Sequence, residues 1–125
     1  MSGFGDVHIV SANVGALSNA RRPILKVPSG YGGITVLGAQ VISAGSTNSE
    51  VRLVRMGSAG TALSGTINTT AVGGTASPFV ANIPKACVIA NSYVPEGDYI
   101  GLQEGSVAAM NAVSIVALSY VMGHP

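Results

Sequence analysis

Tyr93-Val-Pro-Glu-Gly-Asp-Tyr-Ile-Gly-Leu-Gln103 and, past a Gly105-Ser106 break, Met110-Asn-Ala-Val-Ser-Ile-Val-Ala-Leu-Ser-Tyr-Val-Met122 read as turn, short strand, turn and long strand. Pro95 presets φ and Gly97 tolerates positive φ, so Pro95 to Asp98 is predicted as a turn. Tyr99, Ile100 and Leu102 then start a strand. From Asn111 to Met122 the chain is rich in Val, Ile, Leu and Tyr, and no charge interrupts it. A strand apolar on both faces is expected to be covered on both, by its own domain or by another chain. On that expectation Ile115→Asp would abolish the fold by burying an unpaired charge.

Working outward, the same punctuation recurs. Ile34 to Ser43 is a predicted strand, with Ile34, Val36, Gly38, Gln40 and Ile42 on one face and Thr35, Leu37, Ala39, Val41 and Ser43 on the other. Gly38 is expected to mark a bulge or a close contact. Val51 to Met56 follows, with Val51, Leu53 and Arg55 on one side. Further strands are predicted at Val7–Val10, Thr61–Thr70, Phe79–Ile83 and Lys85–Ala90. Ile24 to Val27, bracketed by Pro23 and Pro28, reads as an edge strand. Ser29-Gly30-Tyr31-Gly32-Gly33 is a turn. Turn signals every 8–12 residues or so, without an amphipathic helix, predict an all-β antiparallel sandwich of about eight strands, wound as a jelly roll or Greek key. The expected organisation is an N-terminal arm or loop over 1–22 and a β-sandwich domain over 23–125.

Charge sets this chain apart. Only 9% of its 125 residues are charged, against about 25% in an ordinary globular domain. So few charges leave part of the surface to be covered by partner chains, and a homo-oligomer is expected. The net charge of +1 offers no footprint for nucleic acid. No segment has the ~18 uncharged apolar residues of a membrane helix. Met1 to Gly15 lacks a basic head, so no signal peptide is expected, and synthesis in a reducing cytoplasm fits. The single Cys87 reads as a small buried hydrophobe.

Chemical constellations are sparse. His8 and His124, one near each end, offer Cys87 a base only if the termini fold back. Gly3-Phe4-Gly5 lacks the third glycine of a dinucleotide loop, and Thr66 stands where a phosphate loop needs lysine. Glu96, Asp98 and Glu104 bracket one short strand and have the chemistry to hold Ca²⁺, but the turn reading of Glu96 and Asp98 is preferred. No cofactor, no metal and no catalysis are expected. Arg21-Arg22 is read as an anchor for an acidic partner or as a solvated loop. Arg55 either snorkels at a strand end or pairs across a subunit contact. With Arg21, Arg22 and Arg55, Ile115 and Tyr120 on the closing strand complete the candidate interface.

Val27-Pro28-Ser29-Gly30 leading into Ile34-Thr35-Val36, Gly57-Ser58-Ala59-Gly60-Thr61-Ala62, and Val94-Pro95-Glu96-Gly97-Asp98-Tyr99-Ile100 with the closing strand together resemble the small all-β virion proteins of tailed bacteriophages, above all the head decoration (cement) proteins. The resemblance covers most of residues 23–122 in style rather than in a diagnostic motif. It implies an oligomer, with a trimer favoured, that is made in the host cytoplasm and sits on the virion. There it would bind the outside of the major capsid protein and stabilise the head without catalysis, with the first twenty residues as a gripping arm. The alternative is a phage tail or fibre module, or a lectin-like sandwich, binding carbohydrate through Tyr31 and Tyr93.

Overall fold

Ile34–Ser43 forms a strand with the bounds its composition predicts, and the rest of the chain is arranged around it. The computed structural model describes residues 6–17, 21–58, 63–68, 71–74, 77–104 and 110–123, with side-chain detail for all of these except 14–17, 21, 63, 64, 104 and 110–114. In chain order the strands are β1 (His8–Leu17), β2 (Arg21–Lys26), β3 (Ile34–Ser43), β4 (Glu50–Met56), β5 (Leu63–Thr66), β6 (Val72–Gly73), β7 (Lys85–Cys87), β8 (Tyr93–Val94), β9 (Tyr99–Glu104) and β10 (Met110–Met122). The described residues hold no helix.

Two five-stranded antiparallel sheets result. The first runs β1-β10-β3-β7 with β8 also on β3, and the second runs β2-β9-β4-β5 with β6 also on β4. The long pairs are concentric: β1 with β10, β2 with β9, β3 with β7, β4 with β5. The chain is therefore one long hairpin, with its apex between β4 and β5, rolled so that successive pairs fall in alternate sheets. Lateral pairing of β10 with β3 and of β9 with β4 closes each sheet. This is jelly-roll winding. The two short strands β6 and β8 bring the number to ten.

Between the sheets lies one apolar core. Ile34, Val36 and Val41 of β3 and Val116 and Leu118 of β10 meet Val51 and Leu53 of β4 and Ile100 and Leu102 of β9, with Val27, Ile67 and Phe79 filling the ends. Each such side chain, fully buried, contributes roughly 1.5–3 kcal/mol relative to exposure. Two of the buried polar side chains are tied to backbone. Asn68 Oδ1 accepts from the Leu53 N–H at 3.0 Å, and the Thr35 hydroxyl donates to the Gly123 carbonyl at 2.8 Å.

β3 does not keep one face throughout. Ile34 and Val36 point to the core, but beyond them it is Ala39, Val41 and Ser43 that are buried, while Gln40 is exposed. The register with β10 slips here, since Tyr120 opposes Val36 and Ser119 opposes Gly38. Leu37 is the extra residue. A bulge shifts the alternation by one and turns the second half of the strand over. Gly38 was the sequence signal for it, and the strict two-face assignment is corrected accordingly.

Other expectations change as well. Residues 1–22 are not an arm throughout. β1 lies along β10 from His8 to Leu17, and β2 starts at Arg21. Val10 and Ala12 pack on the core, which rewards the pairing. Phe79–Ile83 is not a strand. Phe79 makes an isolated bridge to Thr47, and the chain then turns at Asn82 (φ 65°), whose N–H donates to the Ser43 carbonyl. Asparagine tolerates that left-handed conformation better than most residues. Lys85–Ala90 shortens to β7, and Thr61–Thr70 to β5, where residues 61, 62, 69 and 70 lie outside the described set. The closing strand is buried on one face within the chain. Val116 and Leu118 are covered, whereas Ile115 is 39% exposed.

Leu118→Ala is expected to cost ~2–5 kcal/mol through the cavity it leaves, read as a lowered urea midpoint with an unchanged m-value. Ile115→Asp, contrary to the expectation of two-sided burial, should leave unfolding cooperative.

Candidate functional site

Two surface features carry the functional argument: a braced tyrosine turn and an uncharged sheet border. The turn begins where β2 ends. Gly30, Gly32 and Gly33 all have positive φ, which aims the intervening N–H groups into one concavity. Glu96 fills it. Its Oε2 accepts from the N–H groups of Gly30, Tyr31 and Gly32 at 2.5, 2.9 and 3.0 Å. Tyr93 donates its hydroxyl to the Gly32 carbonyl at 2.9 Å, and the Gly33 carbonyl accepts from Gly123. At Gly33 (φ +89°) a Cβ would come within 2.6 Å of the Val94 carbonyl, so no other residue fits. Tyr31 is thereby presented on a fastened loop, 61% exposed.

Glu96 is held by the turn after β8, where the Asp98 N–H donates to the Pro95 carbonyl and Gly97 takes φ +83°. The predicted turn is present, with Pro95 at its first position. The N–H of Gly32, then that of Gly30, hold the Glu96 carboxyl below its ordinary value, desolvation opposes them, and Tyr31 adds to the lowering. Backbone donors favour the ionised form. Asp98 lies 3.6 Å from Arg55 Nε on β4. Such a partly exposed ion pair is worth ~0–1 kcal/mol. Arg55 thus pairs inside its own chain.

The other predicted residues fall as follows. Arg21 and Arg22 lie in β2 opposite Gln103 and Leu102, with Arg22 exposed. They belong to an edge strand and not to an arm. The Arg22 carbonyl passes so close to Gly101 that a Cβ there would stand 2.9 Å from it. Tyr120 is turned toward the core, and its ring stacks on His8 across the strand pair at 5.4 Å. Tyr120 is half-buried on the inner side of β10. Lys26 sits over the Tyr99 ring, 5.7 Å from its centroid.

His8 and Cys87 are not brought together. β10 and β3 lie between the strands that carry them, a backbone separation of ~14 Å at ~4.8 Å per strand. Cys87 is buried among apolar groups, which pushes its thiol up to about 11, so it is protonated at neutral pH. His124 lies outside the described residues. Of the three acidic residues weighed for Ca²⁺, Glu96 and Asp98 face protein donors, and the Glu104 side chain lies outside the described set. Among the described residues no group of three metal-ligating side chains occurs.

The second feature was hidden in the sequence. β1 borders the first sheet, with β10 as its neighbour. From His8 to Asn13 its register is unbroken, and irregularities begin only between Asn13 and Gly15. His8–Leu17 contains no proline and no Asp, Glu, Lys or Arg. Ile9 is 75% exposed on the outer face. The signal available in the sequence was this absence of charge, but assigning it to an edge required the strand order.

Glu96→Gln tests the brace. A carboxyl whose folded value is lowered stabilises above its unfolded value, and that stability is lost as pH falls through the folded one. Wild type should therefore lose urea stability below about pH 4.5, near the ordinary glutamate range. Glu96→Gln should be less stable than wild type at pH 7, with the gap narrowing at pH 3. A constant gap between the two would remove the charge from the account.

Compared with known proteins, the chain matches no family model, no curated protein and no solved structure.

Proposed function

We propose that this chain is a non-catalytic decoration (cement) protein that binds the outside of a tailed-phage head and strengthens it. The observation that carries the proposal is the His8–Asn13 part of the β1 border, a strand edge in unbroken register without charge or proline. Free-standing proteins blunt such edges with lysine, proline or bulges. An unblunted edge suits β-augmentation, in which a strand of the partner adds to the sheet through main-chain hydrogen bonds. The partner in this reading is the major capsid protein, met at many equivalent sites, so each contact can be weak. The resemblance in style supplies the phage assignment, because a jelly roll by itself hosts many functions.

The experiment is cosedimentation with undecorated tailed-phage heads, together with the melting temperature of the loaded heads. Wild type should bind and raise that temperature. Ser11→Lys places a charge on the exposed strand and should weaken binding about tenfold or more, a loss of about 1.4 kcal/mol or more, without lowering the protein's own melting temperature by more than a few degrees. Wild type that leaves heads unbound overturns the proposal.

A second reading is favoured by Tyr31. An exposed aromatic on a braced loop is the kind of platform on which a sugar ring stacks. Tyr93, by contrast, spends its hydroxyl on Gly32. On this reading the chain is a tail, fibre or lectin-like module, and glycan binding by wild type should vanish in Tyr31→Ala. Binding that survives Tyr31→Ala removes this reading.

A further inference from the structure

We infer that the outer face of the first sheet is a self-association surface, occupied by a second copy of this chain packed sheet against sheet. The face is built by alternation. On β10 the inward residues are Val116 and Leu118, so Ile115, Ala117, Ser119 and Val121 point outward. The register sets Ile9, Ser11 and Asn13 of β1 beside Ser119, Ala117 and Ile115. On the other side it sets Gly38, Gln40 and Ile42 of β3 beside Ser119, Ala117 and Ile115. Ala86 of β7 continues the middle row next to Gln40. The floor between Gly38, Gln40, Ala86, Ala117 and Ser119 is a shallow concavity, with Ile9 on its rim.

Three observations point to a second copy as the occupant. First, β1, β3 and β10 contain no Asp, Glu, Lys or Arg at all. A face without charge meets its own copy with no like-charge penalty, whereas it offers a charged partner nothing to recognise. Second, the size is sufficient. The three long strands are ~33 Å long and span ~14 Å, and the three-residue β7 adds little, so the face covers about 500 Å². Two copies would bury about 1,000 Å², the floor for a specific interface. Third, the register is self-complementary about a two-fold axis running along the strands between β10 and β3. That axis lays Ile115 of one copy over Ile42 of the second, Ala117 over Gln40, and β1 with its exposed Ile9 over the β7 side. Small residues in the middle row let the sheets approach to the ~10 Å of an aligned sandwich. Such a contact is isologous and closes at two copies.

The head-binding reading uses the main-chain edge of β1, whereas this inference uses the outward side chains beside it; Ser11 belongs to both, so Ile115→Lys on β10 is the variant that bears on this face alone. Light scattering after size exclusion, run over a range of loading concentrations up to ~100 µM (a dimer at that limit needs only a modest affinity), is the test. Wild type should reach twice the 12.4 kDa chain mass. Ile9→Lys and Ile115→Lys, both at exposed positions, should elute at the chain mass at the same concentrations, and far-UV melting should show them folded. Wild type at the chain mass throughout overturns the inference, as does an unchanged dimer in both folded variants. A three-fold mass also overturns it, because a ring of three needs a heterologous contact, and that outcome would leave the decoration reading standing. A dimer that ignores phage heads would do the reverse.

Discussion

The closing strand β10 lies between β1 and β3, and the rest of the architecture depends on that insertion. Its backbone bonds to both neighbours at once, so the first and last long strands of the chain are laid side by side, with His8 opposite Tyr120. Val116 and Leu118 enter the core only in this register. A one-residue slip would exchange them for Ala117 and Ser119. Apolar burial thus selects the pairing, and the pairing completes the hairpin that the jelly roll is wound from. Contacts of this kind join distant parts of the chain, so most of the loop entropy is lost before they form, and folding is expected to be slow for a domain of this size.

The few charges are used with economy. Glu96 organises a glycine turn far away in the sequence, and Asp98, two residues on, faces Arg55. Both carboxylates follow Pro95, and through them the loop before β9 is tied to the loop before β3 and to the side of β4. Lys85 donates to Ser77, and Lys26 rests over Tyr99. With so many charges turned to internal fastening, the long strands of the first sheet are left without any. The same distribution that braces the loops also leaves an uncharged face and an uncharged edge on the first sheet. In the proposed head-binding role, this links composition to function. A protein that works by many repeated contacts needs neutral, rigid surfaces more than it needs reactive groups.

Recurrent turns, the lack of an amphipathic helix pattern and the β-type composition of Ile34–Ser43 and Val51–Met56 were enough by themselves to determine an all-β antiparallel sandwich. These are local properties, set by side-chain sterics and by proline and glycine, and they survive without knowledge of neighbours. Gly38 announced the bulge, and Pro95 with Gly97 announced the turn, for the same reason. Tyr31 was legible as a loop aromatic. What it is tied to was not legible, because its partner Glu96 arrives from another loop.

Tertiary structure alone decided the strand order, the role of residues 8–17 and the direction in which Tyr120 points. β1 carries an even mixture of small and apolar residues that favours neither helix nor strand strongly, and only β10 beside it supplies the hydrogen bonds and the covered face that make it a strand. Likewise, an uncharged apolar strand reads as buried on both sides. Which face meets the core and which meets solvent depends on the second sheet, and that lies on one side of β10 only.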